Sequence, residues 1–128
     1  MSTDTRYNGW TNYETWNVAL WLDNEEPTYI LTRETMRELW EILADPTERK
    51  RHQPFARTHS EATRYQFSAW LKDYVEDMCP DLGASLWSDL LGAAMSEVNW
   101  YEIADNWLSE LDEYESKQAS EVQSHANR

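Results

Sequence analysis

Eight tryptophans and seven tyrosines, set largely at helical spacing behind polar cap residues, constrain this chain of 128 residues more than any other feature. Two stretches repeat one arrangement, Trp10-Thr11-Asn12-Tyr13-Glu14-Thr15-Trp16 and Asn99-Trp100-Tyr101-Glu102-Ile103. Each runs a cap residue into a glutamate and then into an aromatic-lined helix. Each aromatic side chain removes about 150–250 Å² from water when buried. A chain of this length can bury about two-thirds of its surface, so one core forms without disulfide or metal.

With only three Gly and four Pro, and no long alternation of apolar and β-branched residues with polar ones, strands have little support. The expected fold is all-α, a single compact domain of four to five helices with a Trp/Tyr-rich core. The domain is expected over residues 1–115, with a basic linker at 46–57 and a flexible polar tail at 116–128.

The first helix is expected to open after the Asn8-Gly9 turn, with Thr11 as cap and Glu14 completing a capping box. Its core face carries Tyr13, Trp16, Leu20 and Trp21. A second helix begins at Pro27 or at Thr32, carries Met36, Leu39, Trp40 and Leu43, and stops before Pro46. A third, capped by Thr58 or Ser60, carries Phe67, Trp70, Leu71, Tyr74 and Met78 and ends at Pro80.

The fourth starts near Asp81 and carries Leu86, Trp87, Leu90, Leu91 and Ala94. Its Gly92-Ala93-Ala94 patch predicts a close helix neighbour, because Gly costs a helix about 1 kcal/mol against Ala. Asn99 and Glu102 cap the fifth, whose stripe includes Trp100, Ile103, Trp107, Leu108 and Leu111. Trp16, Trp21, Trp40, Trp70, Trp87 and Trp107 are expected to meet in one core, with Trp10 and Trp100 at its edges.

Net charge is −13, from 24 acidic and 11 basic residues. That exceeds the roughly 2–8 units that solubility asks of a small domain. Either the surface is simply well solvated, or the acidic field steers a partner with a basic surface. An acidic ridge is expected on the last helix at Glu102, Asp105, Glu110, Asp112, Glu113 and Glu115. The last four of these stand where the helix dipole disfavours them, by about 0.3–1 kcal/mol each.

The basic island at Arg49, Lys50, Arg51 and Arg57 has two readings as well. It neutralises nearby acids, or it docks phosphate or an acidic protein patch. Direct nucleic-acid binding by the whole domain is disfavoured, since the chain has the opposite sign to a basic footprint.

No catalytic constellation emerges. His52, His59 and His125 lack metal-ligand spacing, Cys79 stands at a helix end, and no Gly-rich phosphate cradle or Gly-x-Ser-x-Gly occurs. No enzyme activity, metal or cofactor is expected. A lone cysteine, a polar Met1 to Tyr7 and no apolar run of ~20 residues point to a cytoplasmic protein without a membrane span.

The segments Gly9-Trp10-Thr11-Asn12-Tyr13-Glu14-Thr15-Trp16-Asn17-Val18-Ala19-Leu20-Trp21-Leu22-Asp23-Asn24 and Glu97-Val98-Asn99-Trp100-Tyr101-Glu102-Ile103-Ala104-Asp105-Asn106-Trp107-Leu108 carry a resemblance, with weaker support from Leu86-Trp87-Ser88-Asp89-Leu90-Leu91. In them the chain resembles a family of small, acidic, largely uncharacterised proteins encoded by bacteriophages, plasmids and other mobile elements. The resemblance brings no catalytic residues. It implies a protein that inhibits or redirects a host protein, such as a defence or nucleic-acid-processing factor, including by mimicry of DNA charge. The alternative is a replication or regulatory accessory protein that touches nucleic acid through the basic loop at residues 49–57.

Overall fold

A tight turn opens the chain in the computed structural model, which describes residues 6–111. Asn8 and Gly9 have φ of 46° and 88°, and Tyr7 and Trp10 exchange backbone hydrogen bonds of 2.7 and 2.8 Å across them. Positive φ at both central residues is the conformation that Asn-Gly adopts at least cost. The turn brings the Tyr7 ring against Tyr13 and Trp16, with centroids 5.1 and 4.9 Å away.

Six helices follow among the described residues: α1 (Tyr13–Asn24), α2 (Glu26–Ile42), α3 (Pro46–His52), α4 (His59–Met78), α5 (Leu86–Ser96) and α6 (residues 100–111). The expectation of four to five helices is therefore corrected to six. The addition is α3, formed inside the 46–57 connection. Pro46, which stops α2, also opens α3, since a proline at the first helical position loses no hydrogen bond. Asp45 caps it by accepting from the Thr47 amide at 2.9 Å. Arg49, Lys50, Arg51 and His52 occupy its last turn, where positive charge is favoured by the exposed carbonyls.

Of the two starts expected for the second helix the one at Pro27 holds to within a residue, whereas the start expected near Asp81 moves. Helix α2 begins at Glu26 with Pro27 in its first turn, and Thr32 lies buried within it, its hydroxyl donating to the Tyr29 carbonyl. Helix α5 begins at Leu86 under a Ser85 cap rather than near Asp81. Thr58 caps α4, accepting from the Glu61 amide at 3.0 Å.

The core is assembled from α1, α2, α4 and α6: Ala19 and Leu22, Met36, Phe67 and Leu71, and then Ile103, Ala104, Trp107, Leu108 and Leu111 from α6. Helix α2 packs along α1 and α4, and α3 lies on α4. Arg33 of α2 is buried beneath this seam. Its guanidinium lies 3.8 Å from the centre of the Trp107 ring and donates to Asp23 of α1 at 2.6 Å. A buried charge needs such a partner, and the aromatic face adds a second attraction.

The tryptophans do not meet in one core. Trp107 is buried, Trp40 and Trp70 are half-buried against the core, and Trp10 and Trp100 stand at its edge. Trp16 is half-buried under Tyr7. Trp21 and Trp87 are 61% and 67% exposed. Helical spacing places side chains on a common face, but burial follows only where another element covers that face. The expected tail at 116–128 lies outside the described residues.

Candidate functional site

The two look-alike helix entrances bind each other. Asn12, with extended backbone, caps α1 by accepting from the Thr15 amide at 2.9 Å, and its Nδ2 donates to the Glu97 carbonyl at 2.6 Å. Asn99 caps α6 by accepting from the Glu102 amide at 3.0 Å. Its own N–H donates to Oγ1 of the buried Thr15 at 2.9 Å. The Glu102 carboxylate accepts from the Thr11 amide and hydroxyl at 3.0 and 2.9 Å. The Thr11–Glu14 capping box is thus replaced by a cap at Asn12 and a bridge from Thr11 to a glutamate 91 positions away. Asparagine caps at least as well as threonine, which frees Thr11 for that bridge.

This lock also locates the expected acidic ridge. Glu102 serves Thr11, Asp105 accepts from Arg64 Nε at 2.5 Å, and Glu110 stands 3.7 Å from buried Arg33. Arg64 also donates to Ser60 Oγ. Asp112, Glu113 and Glu115 lie outside the described residues. Beside Arg64, the Tyr101 ring meets the Tyr65 ring at 5.3 Å. Burial raises the Tyr101 phenol above the ordinary tyrosine value, Arg64 opposes this, and Asp105 adds to it.

Of the expected basic loop, Arg49, Lys50 and Arg51 share α3, whereas Arg57 follows in the connection to α4. Arg51 pairs with Glu48 at 3.4 Å, and Gln53 donates to Gln66 at 2.9 Å, tying the end of α3 to α4. His59 is occupied structurally: its ring stacks on Trp40 with centroids 3.6 Å apart, and Nε2 meets the Trp40 carbonyl at 2.7 Å. A carbonyl only accepts, so Nε2 is the protonated nitrogen. Among the described residues no group of three His, Cys, Asp or Glu side chains is placed to hold a metal ion. Nor is any of their helices long and apolar enough to cross a membrane.

The surface that sequence reasoning missed lies at α5. Its sequence, LWSDLLGAAMS, is the most apolar of the helices, yet none of its residues is buried. Leu86, Trp87 and Leu90 are 66%, 67% and 54% exposed. Ser85 and the linker turn before it, where Asp81 accepts from the Gly83 amide at 2.9 Å, set α5 apart from the end of α4. A cavity of about 840 Å³ remains between them, walled by Val75, Met78, Leu91, Met95, Val98 and Trp100, with Glu76 and Asp81 among its polar groups. Gly92, expected to admit a close helix neighbour, also lines this cavity, and a side chain added there would meet nothing within 4 Å. One signal was legible. Apolar residues occupy more of the α5 circumference than a single neighbouring helix can cover.

A family model matches residues 3–116, a span that takes in both helix entrances, α3 and the α5 cavity. The chain belongs to DUF7249, a family of unknown function. No curated protein and no solved structure matches it. The α5 cavity exceeds the hollow beside Lys50 and Arg51 on α3, which measures about 470 Å³.

Proposed function

We propose that this DUF7249 protein acts by binding, as an acidic protein of a mobile element that inhibits or redirects a host protein with a basic surface. A host defence or nucleic-acid-processing factor is the class of target. The observation that carries the binding reading is α5, an apolar helix with no buried residue in a chain of net charge −13. Contiguous exposed apolar surface rimmed by polar residues is the usual mark of an interaction site. The acidic field supplies long-range steering toward a basic partner and repels nucleic acid and anionic membrane. The mobile-element setting rests on the resemblance carried by residues 9–24 and 97–108.

The test is capture from host lysate at low and raised salt, using the parent chain, a Trp87→Ser/Leu90→Gln variant, and a variant with Glu110, Asp112, Glu113 and Glu115 changed to Gln or Asn. A basic or DNA-binding host protein, retained at low salt and released as exposed charges are screened within about 8–10 Å, is the expected result. Loss in the α5 variant assigns the apolar face, and loss in the acidic variant assigns the ridge. Absence of any salt-sensitive partner would refute the reading.

A second reading, contact with nucleic acid through Arg49, Lys50, Arg51 and Arg57, is favoured by α3, which gathers three of these bases on one short helix. Gel shifts with single- and double-stranded DNA and RNA separate the two. Binding at low salt that disappears when the four are neutralised supports it, and no binding removes it.

A further inference from the structure

Resting on the binding reading above, we propose that the cleft between α4 and α5, together with the outer face of α5, receives a basic amphipathic helix of the partner protein. The helical period places Leu86, Leu90 and Ala94 beside Trp87, and these beside Leu91 and Met95 at the cavity mouth. The apolar surface therefore runs without interruption from the outside of α5 into the cavity, where Val75, Val98 and Trp100 continue it. A small molecule filling the cavity would leave Leu86, Trp87 and Leu90 in water. An elongated apolar stripe covers both. At 1.5 Å per residue α5 extends about 16 Å, the length of three turns of a docked helix.

Charge selects the kind of helix. Residues 72–98 carry six carboxylates, Asp73, Glu76, Asp77, Asp81, Asp89 and Glu97, against the single cation Lys72. Of these charges Glu76, Asp81 and Lys72 line the cleft itself, and Lys and Arg flanking an apolar stripe can lay their aliphatic stems along its edge and reach Glu76 and Asp81 with their charged ends. The same field opposes the other occupants. A second copy docking α5 to α5 across a two-fold axis would bring like carboxylates together, and nucleic acid or an anionic membrane would be repelled.

The experiment titrates the full chain with a synthetic peptide of Leu and Lys, about 18 residues or five turns long, whose leucines recur at helical spacing. Controls are a peptide of the same composition in scrambled order and one with Glu in place of Lys. Calorimetry and backbone amide shifts are read. Tight binding of the patterned Leu/Lys peptide alone, with shifts concentrated in residues 72–98, is expected. Trp87→Ser/Leu90→Gln should weaken it about thirtyfold or more, as removal of a central aromatic anchor does. A Glu76→Gln/Asp81→Asn/Asp89→Asn variant should weaken it about tenfold at low salt and little at high salt.

These positions are exposed or line the cleft, and circular dichroism verifies that the variants keep their helices. Equal binding of the scrambled peptide, shifts centred elsewhere, or indifference to both variants overturns the proposal. So does a dimer in sedimentation that Trp87→Ser/Leu90→Gln dissociates. Host-protein capture that survives both variants overturns the cleft while leaving the general binding reading in place. Peptide binding without any salt-sensitive host partner has the opposite meaning, sustaining the cleft chemistry and removing the wider reading.

Discussion

The junction of α1 with α6 and the corner between α4 and α5 are built from similar residues and reach opposite ends. At the junction, Trp16 and Trp100 flank groups that reach across between distant segments, through Asn12 to the Glu97 carbonyl at the end of α5, Asn99 to Thr15 and Thr11 to Glu102. At the corner, Trp87 and three leucines stand on a helix whose cap is satisfied by its own Ser85 and whose apolar face meets open space. Apolar content does not separate the two regions. What separates them is whether polar groups fix a second element over the apolar face. The first region holds the fold together, and the second is free to hold something else.

Truncation of one tryptophan in each region should give the most unequal losses. Trp107→Ala removes a buried side chain that also carries the Arg33 guanidinium on its face, and should cost about 3–5 kcal/mol. Trp87→Ala, at an exposed position, should stay within about 0.5 kcal/mol. Denaturant melts of the two variants decide the matter, and similar losses from both would show that α5 packs as tightly as α6.

Thr15→Val sharpens the same contrast without changing volume. The buried hydroxyl accepts from the Asn99 amide and donates to Asn12, so its loss removes both hydrogen bonds and should cost about 1 kcal/mol. Ser85→Ala, which removes a hydroxyl bonded only to α5 and to the Leu82 carbonyl of the turn before it, should cost about 1 kcal/mol there and leave α1 and α6 untouched. Hydrogen exchange followed residue by residue distinguishes the two. Protection should fall in both α1 and α6 for the first variant and only in α5 for the second.

Gly92→Ala should stabilise α5 slightly, by roughly 0.5–1 kcal/mol, because the added methyl meets nothing and the unfolded chain loses freedom. A destabilised variant would mean that another helix does approach Gly92. The smallest effect is alkaline. The Tyr101 phenol is raised above 10.0 in the folded chain by burial, so the folded state holds its proton longer than the unfolded state does. Its contribution is intact below pH 10 and is lost as pH rises through the folded value, so Tyr101→Phe should flatten the stability curve on that alkaline limb.

Much of the fold was legible because its signals are local. The Asn8-Gly9 turn, the caps at Thr58 and Asn99, the stop at Pro80 and the stripe through Ile103, Trp107, Leu108 and Leu111 each depend on residues a few positions apart. Helix α3 was missed because its seven residues are too few for a periodic apolar stripe, and only its Asp45-Pro46 entrance announces it. The α5 surface was missed for a different reason. Leu86, Trp87, Leu90 and Leu91 satisfy helical periodicity whether or not another helix covers them.

Helical structure among the described residues, strong acidity and abundant aromatic area all follow from the amino-acid order alone, since propensity, capping and charge are properties of neighbouring residues. Where those properties act depends on how the helices meet. Glu102 became a bridge to Thr11, Arg33 a buried cation under Trp107, and α5 an apolar helix left uncovered. Each outcome depends on residues from distant parts of the chain meeting, and on the desolvation and pairing that only such a meeting brings.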